Sequence, residues 1–236
     1  MKILGIDGSG LVASVAIVED DNLTGEYTTG YKKTHSQTLL PMLSELTKMV
    51  ELDLNTVDAI AVAAGPGSFT GLRIASATAK GLGLSLGCPI VSVPTVDALA
   101  YNMWGNSGAI CPILDARRGQ VYTGLYEFDE AGNFNVIKQQ CAVDFKEIAE
   151  AINQMGKPVT FLGDGVPVFK DLIAEIIKVP YRFAPAHLNR QHAASVAALG
   201  SVYYANGDCE IAADHRPEYL RLSQAERERM EKEGKA

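Results

Sequence analysis

The chain has 236 residues, 47% hydrophobic and 21% charged, a mixture that excludes a disordered protein and supplies core for one large domain or two small ones. Lys and Arg number 21 against 28 Asp and Glu, a formal charge of -7. A protein that grips phosphates alone needs a clustered positive excess, so autonomous nucleic-acid binding and docking on an anionic membrane are both disfavoured.

The first predicted element is a strand over Lys2–Ile6, followed by the turn Asp7-Gly8-Ser9-Gly10 and a pairing strand over Leu11–Val18. Asp7 interrupts the N-terminal apolar run within seven residues, which argues against a secretory signal and for a cytoplasmic protein. Glu26–Tyr31 reads as a third strand. Over Ser36–Glu51 the period becomes helical, with Leu39, Leu43, Leu46 and Val50 in register and Met42 and Met49 widening the stripe; Pro41 must sit in the first turn or kink the helix. Val57–Ala64 is a buried strand that runs into GPGSFTG, and Leu72–Leu86 is the helix behind that loop. Pro89–Val93 is a strand and Thr95–Trp104 a short helix.

Asn102–Gly108 is the richest turn cluster and marks a boundary between halves 1–106 and 107–222. The pattern then restarts: strand Ile110–Leu114, turn Asp115–Gly119, strand Gln120–Tyr126. ILGIDGSGLVASVAIVE and CPILDARRGQVYTGLYE share strand, Asp, tight turn and strand, which is an internal repeat. A strand over Asn133–Val143, a helix over Phe145–Asn153, a strand over Val159–Leu162, the turn Gly163-Asp164-Gly165 and helices over Val168–Ile177 and Gln191–Ala205 complete the second half. Residues 223–236 read as a charged, solvated tail. Cys88, Cys111, Cys141 and Cys209 form no Cys-x-x-Cys pair and read as small buried hydrophobes in a reducing compartment.

Three constellations could carry chemistry. In Ala59–Arg73 the glycines Gly65, Gly67 and Gly71 precede a helix N-terminus, a place for a phosphate. The loop is neither a P-loop nor GxGxxG, and it reads equally as a tight connection capped by Ser68 or Thr70. Asp7 with Ser9, and Asp115 at the matching place in the repeat, could face one cleft and hold a nucleotide and its metal, with Gly163 and Gly165 approaching as a third backbone; by itself an Asp-Gly turn is more often only a hairpin, and the repeat is what raises the joint reading. The two helices of the first half carry more apolar and small residues than one face needs, among them Ala75, Ala77, Ala79, Gly81, Gly83 and Ser85, so one face could meet a partner. His35, His187, His192 and His215 show no metal-pair spacing, and no serine lies in a GxSxG elbow.

HSQTLLP (35–41), GPGSFTGLRI (65–74), DARRGQVY (115–122) and PEYLR (217–221), in this order over residues 1–222, resemble the TsaB/YeaZ family, the non-catalytic subunit of the bacterial tRNA threonylcarbamoyladenosine machinery. The resemblance implies an α/β fold of the actin-like ATPase type, ribonuclease H-like, with two related halves around a cleft. It implies a scaffold and activator that works with the catalytic paralogue TsaD and the ATPase TsaE, touches tRNA only indirectly, forms a homodimer when alone, and needs no membrane. The partner-binding residues it implies are Leu39, Met42, Leu43, Leu46, Arg73, Ala75, Ala77, Thr78 and Gly81. Asp7, Ser9, Gly65, Gly67 and Asp115 would be a vestigial nucleotide cleft, with no resident cofactor or metal and ATP or ADP bound at most weakly or at a partner junction. The His-x-x-x-His metal pair of TsaD falls on Thr95 and Leu99, which departs from a transferase.

Overall fold

The computed structural model describes residues 1–31 and 33–221; the charged segment expected at 223–236 lies outside the described residues. One sheet joins β1 (Lys2–Asp7), β2 (Ala13–Glu19), β3 (Asn22–Thr29), β4 (Ala59–Gly65) and β5 (Ile90–Pro94) in the order β3-β2-β1-β4-β5. A second joins β6 (Ala109–Asp115), β7 (Gln120–Phe128), β8 (Phe134–Asp144), β9 (Val159–Leu162) and β10 (Tyr181–Phe183) in the order β10-β9-β6-β7-β8. In each, three strands form an antiparallel meander and the last two run parallel to the first. The repeat read from the two Asp-containing segments is therefore β1–β2 and β6–β7, inside two sheets of identical topology.

The helices repeat as well. Helices α1 (His35–Met49), α2 (Phe69–Leu86) and α3 (Thr95–Tyr101) follow β3, β4 and β5; α4 (Phe145–Met155), α5 (Val166–Ile176) and α6 (Ala193–Ala205) follow β8, β9 and β10. The third helix of each set crosses over. Val196, Ala197 and Leu199 of α6 pack on Ile3, Ala59, Ala61 and Val91 of the first sheet, whose opposite face, Leu4, Ile6, Val15 and Ile60, takes α1 and α2. Val96, Leu99 and Ala100 of α3 pack on Ile110, Leu114 and Tyr126 of the second sheet, whose opposite face takes Phe145, Ile148 and Phe169 of α4 and α5. Both sheets are covered on both faces, which is why β4 reads as an unbroken apolar run and is buried at every position. Two related α/β halves of the actin-like type are the fold expected from the resemblance, and they are the fold observed.

Three local features differ from or sharpen the sequence reading. Strand β10 is only three residues long and too short to leave a periodic signal. Pro41 lies inside α1, on its exposed side, rather than in the first turn. Cys209 is exposed, unlike buried Cys88 and Cys111; all four cysteines are free thiols.

Candidate functional site

The β1–β2 and β6–β7 turns face each other across a cleft of 380 Å³, lined on one side by Ser9, Gly10, Gly67, Ser68 and Phe69 and on the other by Asp115, Arg117, Tyr122 and Asp164. Ser9, Gly67 and Asp115 thus lie on the cleft as expected, but Asp7 and Gly65 do not line it. Asp7 is 1% exposed, and its Oδ1 accepts the Ser9 N–H at 2.8 Å and the Ser9 hydroxyl at 2.6 Å. Asp115 repeats this: Oδ1 accepts the Arg117 N–H at 2.8 Å, and Oδ2 pairs with the Arg117 guanidinium at 3.1 Å. Both carboxylates therefore brace their own turns two residues on, the ordinary use of Asp in tight loops.

The glycines are also consumed internally. An added Cβ on Gly67 would lie 2.3 Å from the Ser9 carbonyl, one on Gly71 2.0 Å from that of Gly8, and the Ser68 N–H donates to Ser9 O at 2.7 Å. The close approach that a phosphate would need is made by the β1–β2 turn itself. His35 closes the same corner, its Nε2 2.9 Å from Gly10 O. Gly163 and Gly165 approach the Ile113 carbonyl on β6, not a ligand. Of the two readings of GPGSFTG, the tight connection fits: the Ser68 hydroxyl caps α2 by accepting the Gly71 N–H at 3.3 Å. Residues that sequence reasoning missed here are Gln191 and Arg221, which reach the cleft from distant segments, and the role of Asp164, whose Oδ1 accepts the Asp115 N–H at 3.1 Å.

Burial pushes the Asp7 carboxyl up to about 6, against the pull of the two Ser9 hydrogen bonds. A raised acid contributes stability that is full below its unfolded pKa near 3.8 and is lost as pH rises through about 6. Asp7→Asn, which keeps an acceptor for Ser9, is expected to gain on the parent by roughly 3 kcal/mol between pH 4 and 7. Urea unfolding of both proteins across that range checks this; parallel stability curves would show that Asp7 is not the group whose charging costs stability.

The outward surface of the first half is different in kind. Leu39, Met42, Leu43, Leu46 and Ala75, expected at a partner surface, are at most 6% exposed. They are spent on the core because their stripe faces the first sheet. Ala77 and Gly81 are exposed and Thr78 is half-buried, its hydroxyl turned back onto Ile74 O at 2.9 Å. Arg73 is exposed and its Nε donates to the Tyr219 hydroxyl at 3.1 Å. The true outward residues of the two adjacent helices include Leu40 (54% exposed) and Met49 (79%) on α1, and Ala77, Gly81 and Leu84 (61%) on α2. Sequence periodicity found the stripe on α1 but could not say that the stripe faces inward.

Two polar clusters bear on alternatives. At Ser92, His215 and Glu210, both the Ser92 hydroxyl (2.9 Å) and Glu210 Oε1 (2.9 Å) meet the same ring nitrogen, Nδ1. His215 is 1% exposed, and its Nε2 is buried without a partner among the described residues. A Ser–His–acid relay needs the acid and the hydroxyl on opposite ring nitrogens and an open nucleophile, so this cluster is built as a brace. At the other, Glu26 of β3 accepts His192 Nδ1–H at 3.1 Å, the Ala194 N–H at 3.1 Å and the Ser14 hydroxyl at 3.2 Å, while His192 Nε2 lies 2.9 Å from His187 O. With both ring nitrogens facing acceptors, the imidazolium fits best.

The Glu26 hydrogen bond holds His192 above its ordinary value of 6.5, against desolvation. Burial disfavours the Glu26 charge, but its hydrogen bonds outweigh that and lower its pKa. The histidine's contribution is therefore full below pH 6.5 and lost as pH rises through its raised value. Glu26→Gln is expected to flatten that alkaline fall in stability. Equal slopes for parent and variant above pH 6.5 in chemical denaturation would sink this account of the Glu26–His192 pair.

Among the described residues, no group of three or more His, Cys, Asp and Glu side chains could hold a metal ion. Thr95 and Leu99, the positions to which the resemblance assigns the TsaD histidine pair, are both buried, and the Thr95 hydroxyl accepts the Gly65 N–H at 3.1 Å. A larger hollow of 480 Å³, between the β2–β3 turn and α6, contains none of the expected site residues. No helix among the described residues is long and apolar enough to cross a membrane.

Known proteins share this architecture and sequence. Residues 24–229 match the family described as TsaD: tRNA N6-adenosine threonylcarbamoyltransferase. The chain is 35% identical over 228 residues to the tRNA threonylcarbamoyladenosine biosynthesis protein TsaB of Bacillus subtilis, covering 96% of each. It is 30% identical over 174 residues to TsaB of Escherichia coli, covering 73% of this chain and 75% of that one. YeaZ from Pseudomonas aeruginosa superposes with a TM-score of 0.78 at 27% identity, over 93% of this chain and 99% of that one. A second structure, an uncharacterized protein with similarity to peptidase YEAZ from the same organism, matches with the same TM-score at 26% identity and the same coverage. Repeated topology, the glycine loop and near full-length similarity to TsaB proteins lead to one conclusion: the chain belongs to the TsaB/YeaZ family of tRNA threonylcarbamoyladenosine biosynthesis proteins.

Proposed function

We propose that this chain is a non-catalytic scaffold and activator. In this reading it holds a TsaD-type partner in working geometry, together with a TsaE-type ATPase, while threonylcarbamoyl passes from threonylcarbamoyl-AMP to N6 of the adenosine 3′ of the anticodon in tRNAs reading codons that begin with A. The observation that carries the reading is the outward surface of α1 and α2, where the small residues Ala77 and Gly81 and the apolar Leu84 are exposed on α2 and Leu40 is exposed on α1. A helix face of this composition lets another helix pack closely and buries apolar side chains at about 25 cal/mol per Å². Thr95 and Leu99 at the places of the TsaD histidines, and a charge of -7, support a division of labour in which catalysis and tRNA contact fall to partners. The same face would serve a homodimer when the partner is absent.

Reconstitution tests the reading: the modification reaction with TsaD, TsaE and tRNA is run with and without this chain. Omission is expected to remove most of the modified tRNA; an unchanged rate would refute the scaffold role. An ATP-dependent small-molecule kinase and a peptidase are the competing readings. The first requires phosphate binding where the β1–β2 turn and glycine loop already touch, and titration with ATP and magnesium decides it. The second requires a nucleophile with an accessible base, and incubation with the partner, watched for cleavage, decides it.

A further inference from the structure

After α6 the chain runs back along the first half and reaches the second by residue 221. Glu210 exchanges two backbone hydrogen bonds with Ile90 on the outer strand β5, at 2.9 and 2.8 Å. Ala212 sits against Gly83 of α2 so closely that an added Cβ there would come within 2.8 Å. Lys80 of α2 donates its ammonium to the carbonyls of Ala213 (2.7 Å) and His215 (3.0 Å). The Glu218 N–H donates to Ala64 O at 2.7 Å. Tyr219 stacks on Phe69, with ring centroids 4.6 Å apart and planes 10° from parallel, and the Arg73 guanidinium lies over the Tyr219 ring at 5.8 Å. The segment then fastens to the second half, through Gln140 on β8 to Glu218 at 3.2 Å and through Arg221 to the Ala116 carbonyl.

Phe69, Arg73, Lys80 and Gly83 are separated by four, seven and three residues, which places them on one side of α2. Ala77, Gly81 and Leu84 lie on the neighbouring side. The segment thus runs nearly the length of the helix without covering its outward face, and it ties that helix to both halves at once.

We propose that residues 208–221 are a strap that fixes the pose of α2, making Tyr219 and Lys80 positioning residues for partner binding although neither belongs to the outward face. This rests on the scaffold reading, and it adds the element on which that face depends. A surface of small residues works only when two backbones approach at the right angle, so loss of the strap should be felt as loss of affinity.

Hydrogen exchange on the full chain, paired with titration of a TsaD-type partner, tests it. Tyr219→Ala is expected to raise exchange across residues 69–80 tenfold or more and to weaken partner binding at least tenfold, with a melting temperature within about 5 °C of the parent. Tyr219→Phe keeps the stack and is expected to bind within threefold of the parent. Should Tyr219→Ala fail to fold, Lys80→Met serves: it removes two ties and is expected to raise exchange in residues 76–86 and weaken binding at least threefold. Normal affinity despite raised exchange would overturn the proposal, because α2 would then be held for no binding purpose. Lost affinity with unchanged exchange would also overturn it, since Tyr219 would then act by direct contact. If the parent itself binds no partner, the scaffold reading fails, and unchanged exchange in both variants would separately show that the strap does not hold the helix.

Discussion

Ala77→Arg is expected to abolish association with a TsaD-type partner while leaving the monomer folded. Ala77 is exposed on α2, so the long cation has room in the free chain and must be buried or displaced only when another helix approaches. Desolvating an unpaired guanidinium against an apolar helix costs several kcal/mol, and a loss of about 3 kcal/mol already weakens binding by more than a hundredfold. Gly81→Arg is an independent second variant, because an added Cβ at Gly81 meets nothing within 4 Å and an interior helix position gains from losing glycine. Ala79→Arg, two residues away, should instead unfold the first half: Ala79 is 0% exposed in the core under the first sheet. Size-exclusion chromatography of each variant with partner, beside circular dichroism of each alone, reads the outcome. Complex formation by both Ala77→Arg and Gly81→Arg would remove α2 from the interface.

Gly65→Ala is expected to be strongly destabilising. Gly65 has φ of +128°, a region that L side chains rarely adopt, and its added Cβ would lie 2.1 Å from the Glu218 carbonyl. The carbonyl cannot retreat without releasing the adjacent Glu218 N–H from Ala64 O, so backbone strain and lost hydrogen bonding act together. A destabilisation of roughly 3 kcal/mol or more follows from strain and clash of this kind. Gly81→Ala on the open face is the control and should be neutral or slightly stabilising. Equal urea midpoints for Gly65→Ala and the parent would mean that the loop and the C-terminal segment are less tightly apposed than described.

The alternation of short apolar runs with turn residues is enough to place most strands and helices, and the doubled Asp-turn segment discloses the repeated sheet pattern. What remained illegible was direction. Leu39 and Leu40 are neighbours of identical chemistry, yet one is 1% and the other 54% exposed, because only the position of the sheet decides which side of α1 is buried. The glycine loop is legible only in part for a related reason. A glycine that admits a phosphate and a glycine that admits another loop look the same in sequence; Gly67 and Gly71 turned out to be filled by the backbone of Gly8 and Ser9, sixty residues away in the chain. Gln191, Arg221 and two partners of Glu26, His192 and Ala194, lie farther still, and local pattern carries no signal for them.

The exchange of third helices between the halves bears on biogenesis. While the ribosome is still synthesising the second half, the first sheet has α1 and α2 on one face but must leave Ile3, Ala61 and Val91 exposed on the other until α6, at residues 193–205, emerges. Until then the N-terminal half carries an uncovered apolar sheet face, the kind of surface that makes partly synthesised chains prone to aggregate.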